Sequence, residues 1–118
     1  MDIAAYISYH KYKLNKEKES SRFGNELLRK RLLNKTILLL NDYFTRFPQT
    51  NVYLFGSITK ENVFTTDSDI DIAVANYPGQ RIELYCEIEA LLNHTIDLVI
   101  LEKCSFGDNI TRHGLKIT

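Results

Sequence analysis

The sequence predicts a single α+β domain with the element order helix, strand, short helix, strand, helix, strand. A long stretch with apolar residues at helical spacing precedes three short apolar runs rich in strand-forming residues. The 118 residues contain no Pro/Gly/Ser-rich linker and suffice for one modest core. We therefore predict one domain over residues 1–118, with a helical or arm-like extension over residues 1–24 and a core over residues 25–118.

The first core element is predicted to be an amphipathic helix over residues 25–44. Its apolar residues recur at i, i+3, i+4 and i+7, which is typical of a helix with one face on the core. The helix should end before Pro48, because the residue that precedes a proline is pushed out of the α region. The inward-facing residues are predicted to be Leu28, Leu32, Leu33, Ile37, Leu39, Leu40, Tyr43 and Phe44.

The first two strands flank a glycine. The run from Asn51 to Phe55 is apolar, rich in strand formers and closed by Gly56, so it predicts a buried strand followed by a turn or short helix. The segment from Asp69 to Val74 begins by alternating acidic and apolar residues, which suits a strand with one face on the core. The remaining elements are predicted as a helix over residues 81–92, a third strand over 96–101 and one helical turn at 110–115.

Charge and cysteine content exclude several classes of protein. Fifteen Lys and Arg residues balance 15 Asp and Glu residues, so the whole chain is not biased toward nucleic acid or membranes. Basic residues cluster between Lys11 and Lys35, where nucleic-acid binding stays open but is not favoured, because such helix faces are usually solvated. Cys86 and Cys104 have neither a disulfide-scaffold count nor a zinc spacing. We expect a soluble, cytoplasmic protein without a membrane segment.

Three aspartates carry the chemistry that the sequence suggests. Asp69 and Asp71 are two residues apart on a predicted strand, so their side chains leave the same face about 6.6 Å apart along it. Carboxylates held in this way repel each other unless a cation lies between them, and Mg²⁺ prefers such oxygen ligands. With Asp97 from the adjoining strand as a third ligand, two ions about 3.5–4 Å apart become feasible.

The Gly56-Ser57 pair lies where a strand gives way to a turn, so backbone amides and a hydroxyl can converge on a phosphate. Each feature alone has an ordinary explanation: a common turn, a solvent-facing strand edge at Asp69 and Asp71, and a strand-end cap at Asp97. Their combination in this order favours a site for a divalent metal and a nucleoside triphosphate.

Three motifs carry a resemblance to a known superfamily. In them the chain resembles the DNA polymerase β-like nucleotidyltransferases, over about residues 37–115. Within this superfamily the short chain resembles the minimal nucleotidyltransferases, which are often the antitoxin partners of helical HEPN-domain ribonuclease toxins. The motifs are Leu54-Phe55-Gly56-Ser57, Asp67-Ser68-Asp69-Ile70-Asp71-Ile72-Ala73-Val74 and Ile96-Asp97-Leu98-Val99.

This resemblance implies a polymerase β-like palm fold, with helices packed on a small mixed sheet. It implies that Asp69 and Asp71 are catalytic ligands of two Mg²⁺ ions, and that Asp97 is a further ligand that activates the nucleophile. ATP would be the substrate. The residues assigned to its binding are Gly56, Ser57, Lys60 and Ser68.

The implied function is transfer of AMP from ATP to a tyrosine hydroxyl of a partner HEPN toxin, which the protein would neutralise as an antitoxin. The chain departs from the family pattern after Gly-Ser, where members usually carry a basic residue, a small one and then Arg-Gly. Here Ile58-Thr59-Lys60-Glu61 occupies that place. This departure keeps open an alternative, a catalytically weak or vestigial domain that neutralises its partner by binding. A further alternative is nucleotidyl transfer to a small molecule or RNA, which the basic region between Lys11 and Lys35 keeps open.

Overall fold

A computed structural model of the chain describes the backbone of residues 3–118 and the side chains of residues 23–118. Single 3₁₀ turns at Phe44–Arg46, Gly56–Thr59 and Leu101–Lys103 connect the larger elements; we call the second of these the glycine turn. The helices are α1 (Ile3–Tyr43), α2 (Arg81–Leu92) and α3 (Gly107–His113), and the strands are β1 (Asn51–Phe55), β2 (Ile70–Ala75), β3 (Ile96–Ile100) and β4 (Leu115–Lys116).

The four strands form one mixed sheet in the order β3-β2-β1-β4. Strand β1 pairs antiparallel with β2 and with β4, whereas β2 and β3 are parallel. Parallel neighbours need a crossover connection, and α2 supplies it. The predicted α+β class and the mixed sheet with packed helices are confirmed.

The sheet has one buried face and one open face. Alternate residues of the strands, among them Leu54, Ile72 and Leu98, are almost completely buried in a cluster with apolar residues of α1 and α2. Most of the intervening residues, among them Asp71 and Asp97, are less buried, whereas the small Ala73 is fully buried. Since successive side chains of a strand point to opposite faces, the carboxylates project away from the core.

The predicted core of α1 is confirmed. Leu40, Tyr43 and Phe44 are buried, and the other predicted residues pack against the same cluster. The helix is longer than predicted, because its backbone continues without a break through Gly24. A single glycine costs a helix only about 1 kcal/mol relative to alanine, which good neighbouring helix formers offset. The predicted extension over residues 1–24 lies almost wholly outside the residues whose side chains are described.

The end of the chain differs from the prediction. Helix α3 covers Gly107–His113 rather than residues 110–115, and Leu115 instead begins β4. Beyond β4 the backbone continues to pair with β1, since Ile117 N donates to Val52 O at 2.7 Å. Within the described residues, no helix combines the length and apolarity needed to cross a bilayer.

Candidate active site

The sheet topology places the three aspartates at one edge of the open face. Asp71, at the start of β2, is the register partner of Asp97 on β3 and of Phe55 on β1. Asp69 lies one residue before β2, which begins at Ile70 rather than at Asp69 as predicted, and it is close enough to Asp71 for its charge to raise the pKa of that carboxyl. Asp71 is half-buried, whereas Asp69 and Asp97 are exposed. Residues from motifs that are separated in the sequence therefore lie at the same edge of the sheet.

The three carboxylates interact electrostatically. Burial, followed by the negative charges of Asp97 and Asp69, raises the pKa of Asp71 from its ordinary value of 3.8 to about 6. Each neighbouring charge acts in this direction because like charges disfavour a second ionised carboxylate. A bound cation would offset the repulsion among the three carboxylates. Clustered carboxylates that repel one another without a cation are expected at a metal site.

The donor set fits Mg²⁺ by its chemistry. All three side chains offer only hard oxygen ligands, which Mg²⁺ accepts together with water and substrate phosphate. Among residues 23–118, no group of three His, Cys, Asp or Glu side chains is already arranged as a metal centre. The residues that would hold the ion are Asp69, Asp71 and Asp97.

Gly56 leaves the space that the Asp71 carboxylate occupies. Its φ angle is +71°, which is a left-handed backbone conformation that is energetically unfavourable for residues other than glycine. A Cβ atom on Gly56 would lie 2.0 Å from Asp71 Oδ2. The glycine is therefore required both by its backbone conformation and by its contact with a predicted metal ligand.

The other predicted nucleotide-binding residues lie in the glycine turn, directly after it and directly before Asp69. Ser57 is half-buried within the glycine turn, where the Thr59 hydroxyl donates to Gly56 O at 2.7 Å. Lys60 is exposed and follows directly, with its N–H donating to Ser57 O at 3.1 Å. Ser68 immediately precedes Asp69, but its hydroxyl accepts a hydrogen bond from Thr65 N at 2.9 Å. Ser68 therefore closes the turn that leads into β2.

Arg29 contributes to the site although it is not among the predicted site residues. It belongs to the basic stretch that is expected to be solvated, yet it is only 6% exposed. Its guanidinium donates to Glu26 Oε1 at 2.6 and 3.0 Å and to the carbonyl of Ile58 in the glycine turn at 3.2 Å. The hydrogen bond with Glu26 raises the pKa of Arg29, burial opposes this rise, and Glu61 adds to it.

The same network holds the next residues of the loop. Glu26 Oε2 accepts the backbone N–H of Asn62 at 3.0 Å, so α1 contacts the chain on both sides of Lys60 and Glu61. Glu61, the residue that departs from the family pattern, is close enough for its negative charge to raise the pKa of Arg29. A signal for Arg29 was present in the sequence, since it shares the inward helical spacing of Leu33, Thr36 and Leu40.

Comparison with known families supports the resemblance. The model of the family described as polymerase beta, nucleotidyltransferase matches residues 39–118, which include the whole sheet and every predicted site residue. No curated protein and no solved structure matched the chain. Since the matched region is well over half of the chain, the protein belongs to the polymerase β nucleotidyltransferase family.

Proposed function

We propose that this nucleotidyltransferase uses Mg²⁺ to transfer AMP from ATP to a tyrosine hydroxyl of a HEPN-type toxin, and so acts as its antitoxin in the cytoplasm. The observation that carries the proposal is the register pairing of Asp71 with Asp97 beside the glycine turn. Nucleotidyltransferase domains typically use a nucleoside triphosphate and Mg²⁺. Free Cys86 and Cys104 agree with a reducing compartment.

The proposed reaction asks the protein mainly to position groups and to balance charge. The acceptor oxygen would form a bond to the α-phosphorus while the bond to pyrophosphate breaks, and the hydroxyl proton would leave toward Asp97. Bound Mg²⁺ supplies the positive charge that the triphosphate and the developing oxyanion need. Asp69 and Asp71 would hold it, while Ser57 and Lys60 would orient the phosphates.

The carboxylate edge lies on the open face of the sheet, where the Asp69 and Asp97 side chains are exposed. A folded partner could therefore approach this edge directly. Such a partner would present the tyrosine and bring its own complementary surface.

Intact-mass spectrometry tests the proposal directly. The protein is incubated with ATP, Mg²⁺ and the purified product of the adjacent gene, and we expect the partner to gain the mass of one or more AMP units. Asp71→Asn and Asp97→Asn variants should leave the partner unmodified while melting cooperatively. If the wild-type protein causes no increase in the mass of the partner, the hypothesis of AMP transfer is ruled out.

The alternative is an antitoxin that neutralises its partner by binding alone. One observation favours it: Glu61 stands where the family usually has glycine. The double variant Asp69→Asn/Asp71→Asn separates the two functions in cells that express the toxin. Retained protection would support binding, and lost protection with an intact fold would support catalysis.

A further inference from the structure

A cleft of about 230 Å³ lies between the glycine turn and α3. Its volume is smaller than the ~300–1,000 Å³ of pockets that enclose a complete small ligand. A cleft of this volume is suited to one part of a nucleotide. Its main lining residues are Gly56, Thr59 and Lys60 from the turn and its end, and Phe106, Asn109 and His113 from α3 and its start.

The cleft adjoins the carboxylate edge. Gly56 lines the cleft and also approaches the Asp71 carboxylate so closely that no Cβ atom would fit between them. Phe55, the register partner of Asp71, lines the cleft as well. A nucleotide whose phosphates lie at Gly56 and Lys60 would thus have the cleft within reach of its remaining parts.

The α3 side of the cleft has the chemistry of a base-binding surface. Phe106 lines it and remains 52% exposed, so much of its ring area is available to a ligand. Base stacking on such a ring is favourable for any nucleobase, because every base has a π face. The exposed Asn109 adds an amide that can both donate and accept hydrogen bonds, as the polar edge of a base requires.

We propose that this cleft is the nucleobase subsite, in which the base of the triphosphate stacks on Phe106 beside Asn109. This inference rests on the proposed nucleotidyl-transfer function and extends it to the part of the substrate that lies beyond the phosphates. It assigns α3 a role in substrate binding that none of the sequence motifs indicated. Lys60 and Gly56 line the same cleft on the side of the glycine turn.

Calorimetry with two ligands tests the subsite. Mg-ATP carries a base, whereas Mg-tripolyphosphate has the phosphates alone. We expect Phe106→Ala to weaken Mg-ATP binding by about ten-fold, as the loss of one base–aromatic stack predicts, and to leave Mg-tripolyphosphate binding unchanged. Phe23→Ala is the matched control, because Phe23 is a 73% exposed phenylalanine on α1 and should affect neither ligand.

A fluorescent variant gives a second readout. The chain contains no tryptophan, so Phe106→Trp introduces a single selectively excitable fluorophore into the cleft. We expect Mg-ATP to quench its emission and Mg-tripolyphosphate to leave it unaltered. Equal binding of Mg-ATP by wild type and Phe106→Ala, with no quenching, would overturn the subsite while leaving phosphate binding intact. Failure of the wild type to bind either ligand would overturn the proposed function together with the subsite.

Discussion

At the residue scale, Gly56 combines a left-handed φ of +71° with a contact that excludes a Cβ atom. We expect Gly56→Ala to lower the free energy of unfolding by about 1–2 kcal/mol from its backbone conformation alone. Displacement of Asp71 should in addition abolish Mg²⁺-dependent nucleotidyl transfer. Urea unfolding and a pyrophosphate-release assay measure the two effects. Wild-type activity in the alanine variant would contradict this interpretation.

In contrast to Gly56, Gly24 is a position where replacement by alanine should stabilise the protein. It lies inside α1, where an added Cβ atom meets nothing within 4 Å. Replacing a helical glycine with alanine reduces the entropy lost on folding, so Gly24→Ala should raise the free energy of unfolding by about 0.5–1 kcal/mol. The same urea titrations measure this change, and activity should remain at the wild-type level.

Asp71 predicts a pH-dependent stability. Its pKa is raised from 3.8 to about 6 in the folded protein, so the folded state holds this proton more tightly than the unfolded state does. The stability gained from protonation is present below about pH 4 and is lost as the pH rises to about 6. We therefore expect Asp71→Asn to raise the melting temperature of the metal-free protein at about pH 7.5 but not at about pH 4.

Thermal melting in a chelator from about pH 4 to pH 8 measures this difference. Because Asp71 is half-buried, solvent screening should keep the effect below that of a fully enclosed carboxylate. Asp42→Asn, at an exposed carboxylate of α1, is the comparison variant. A stability difference for Asp71→Asn that stays constant over the whole pH range would contradict the role of ionisation.

At the scale of elements, α1 supports the glycine turn through Arg29. Arg29→Met removes the charged donor from the Ile58 carbonyl, and hydrogen bonds to charged groups contribute about 1.5–3 kcal/mol. We expect a corresponding loss in the free energy of unfolding and a higher KM for ATP, because the turn is no longer fixed. Arg31→Met, at an exposed arginine of the same helix, is the control. An unchanged KM in Arg29→Met would show that α1 does not position the turn.

Sequence patterns correctly predicted the elements whose conformation depends mainly on residues that are close together in the chain. The observed bounds of β1 and α2 agree with the prediction, because Asn51–Phe55 and Arg81–Leu92 have strong patterns and clear terminators. Strand β4 was missed because it has only two residues, and its conformation depends on pairing with Tyr53 and Leu54, about sixty residues earlier. The contribution of Phe106 to the cleft was missed for the same reason, since a tertiary contact determines it.

At the scale of the whole molecule, the protein is elongated. Its radius of gyration is 17.8 Å, whereas a compact domain of this length would have about 13–14 Å. Helix α1 accounts for the difference, because its 41 residues greatly exceed the short elements of the sheet. The described core contacts of α1 begin at Glu26 and Leu28.

Removal of residues 1–22 tests which part of α1 the domain needs. We expect the shortened protein to keep its cooperative melting transition, since the described core and the Arg29 network are retained. Its radius of gyration should fall toward about 14 Å in small-angle X-ray scattering. Loss of cooperative unfolding would show that the domain depends on the first half of the helix.

The pairing of Asp71 with Asp97 also restricts how the sheet can misfold. A slip of β3 by one residue against β2 would turn the Asp97 side chain from the open face into the apolar core. Burial of an unpaired carboxylate is strongly unfavourable, so the misaligned sheet is destabilised by the same charge that the site uses. Replacing Asp97 with an apolar residue would remove this penalty and would make alternative strand alignments more accessible during folding.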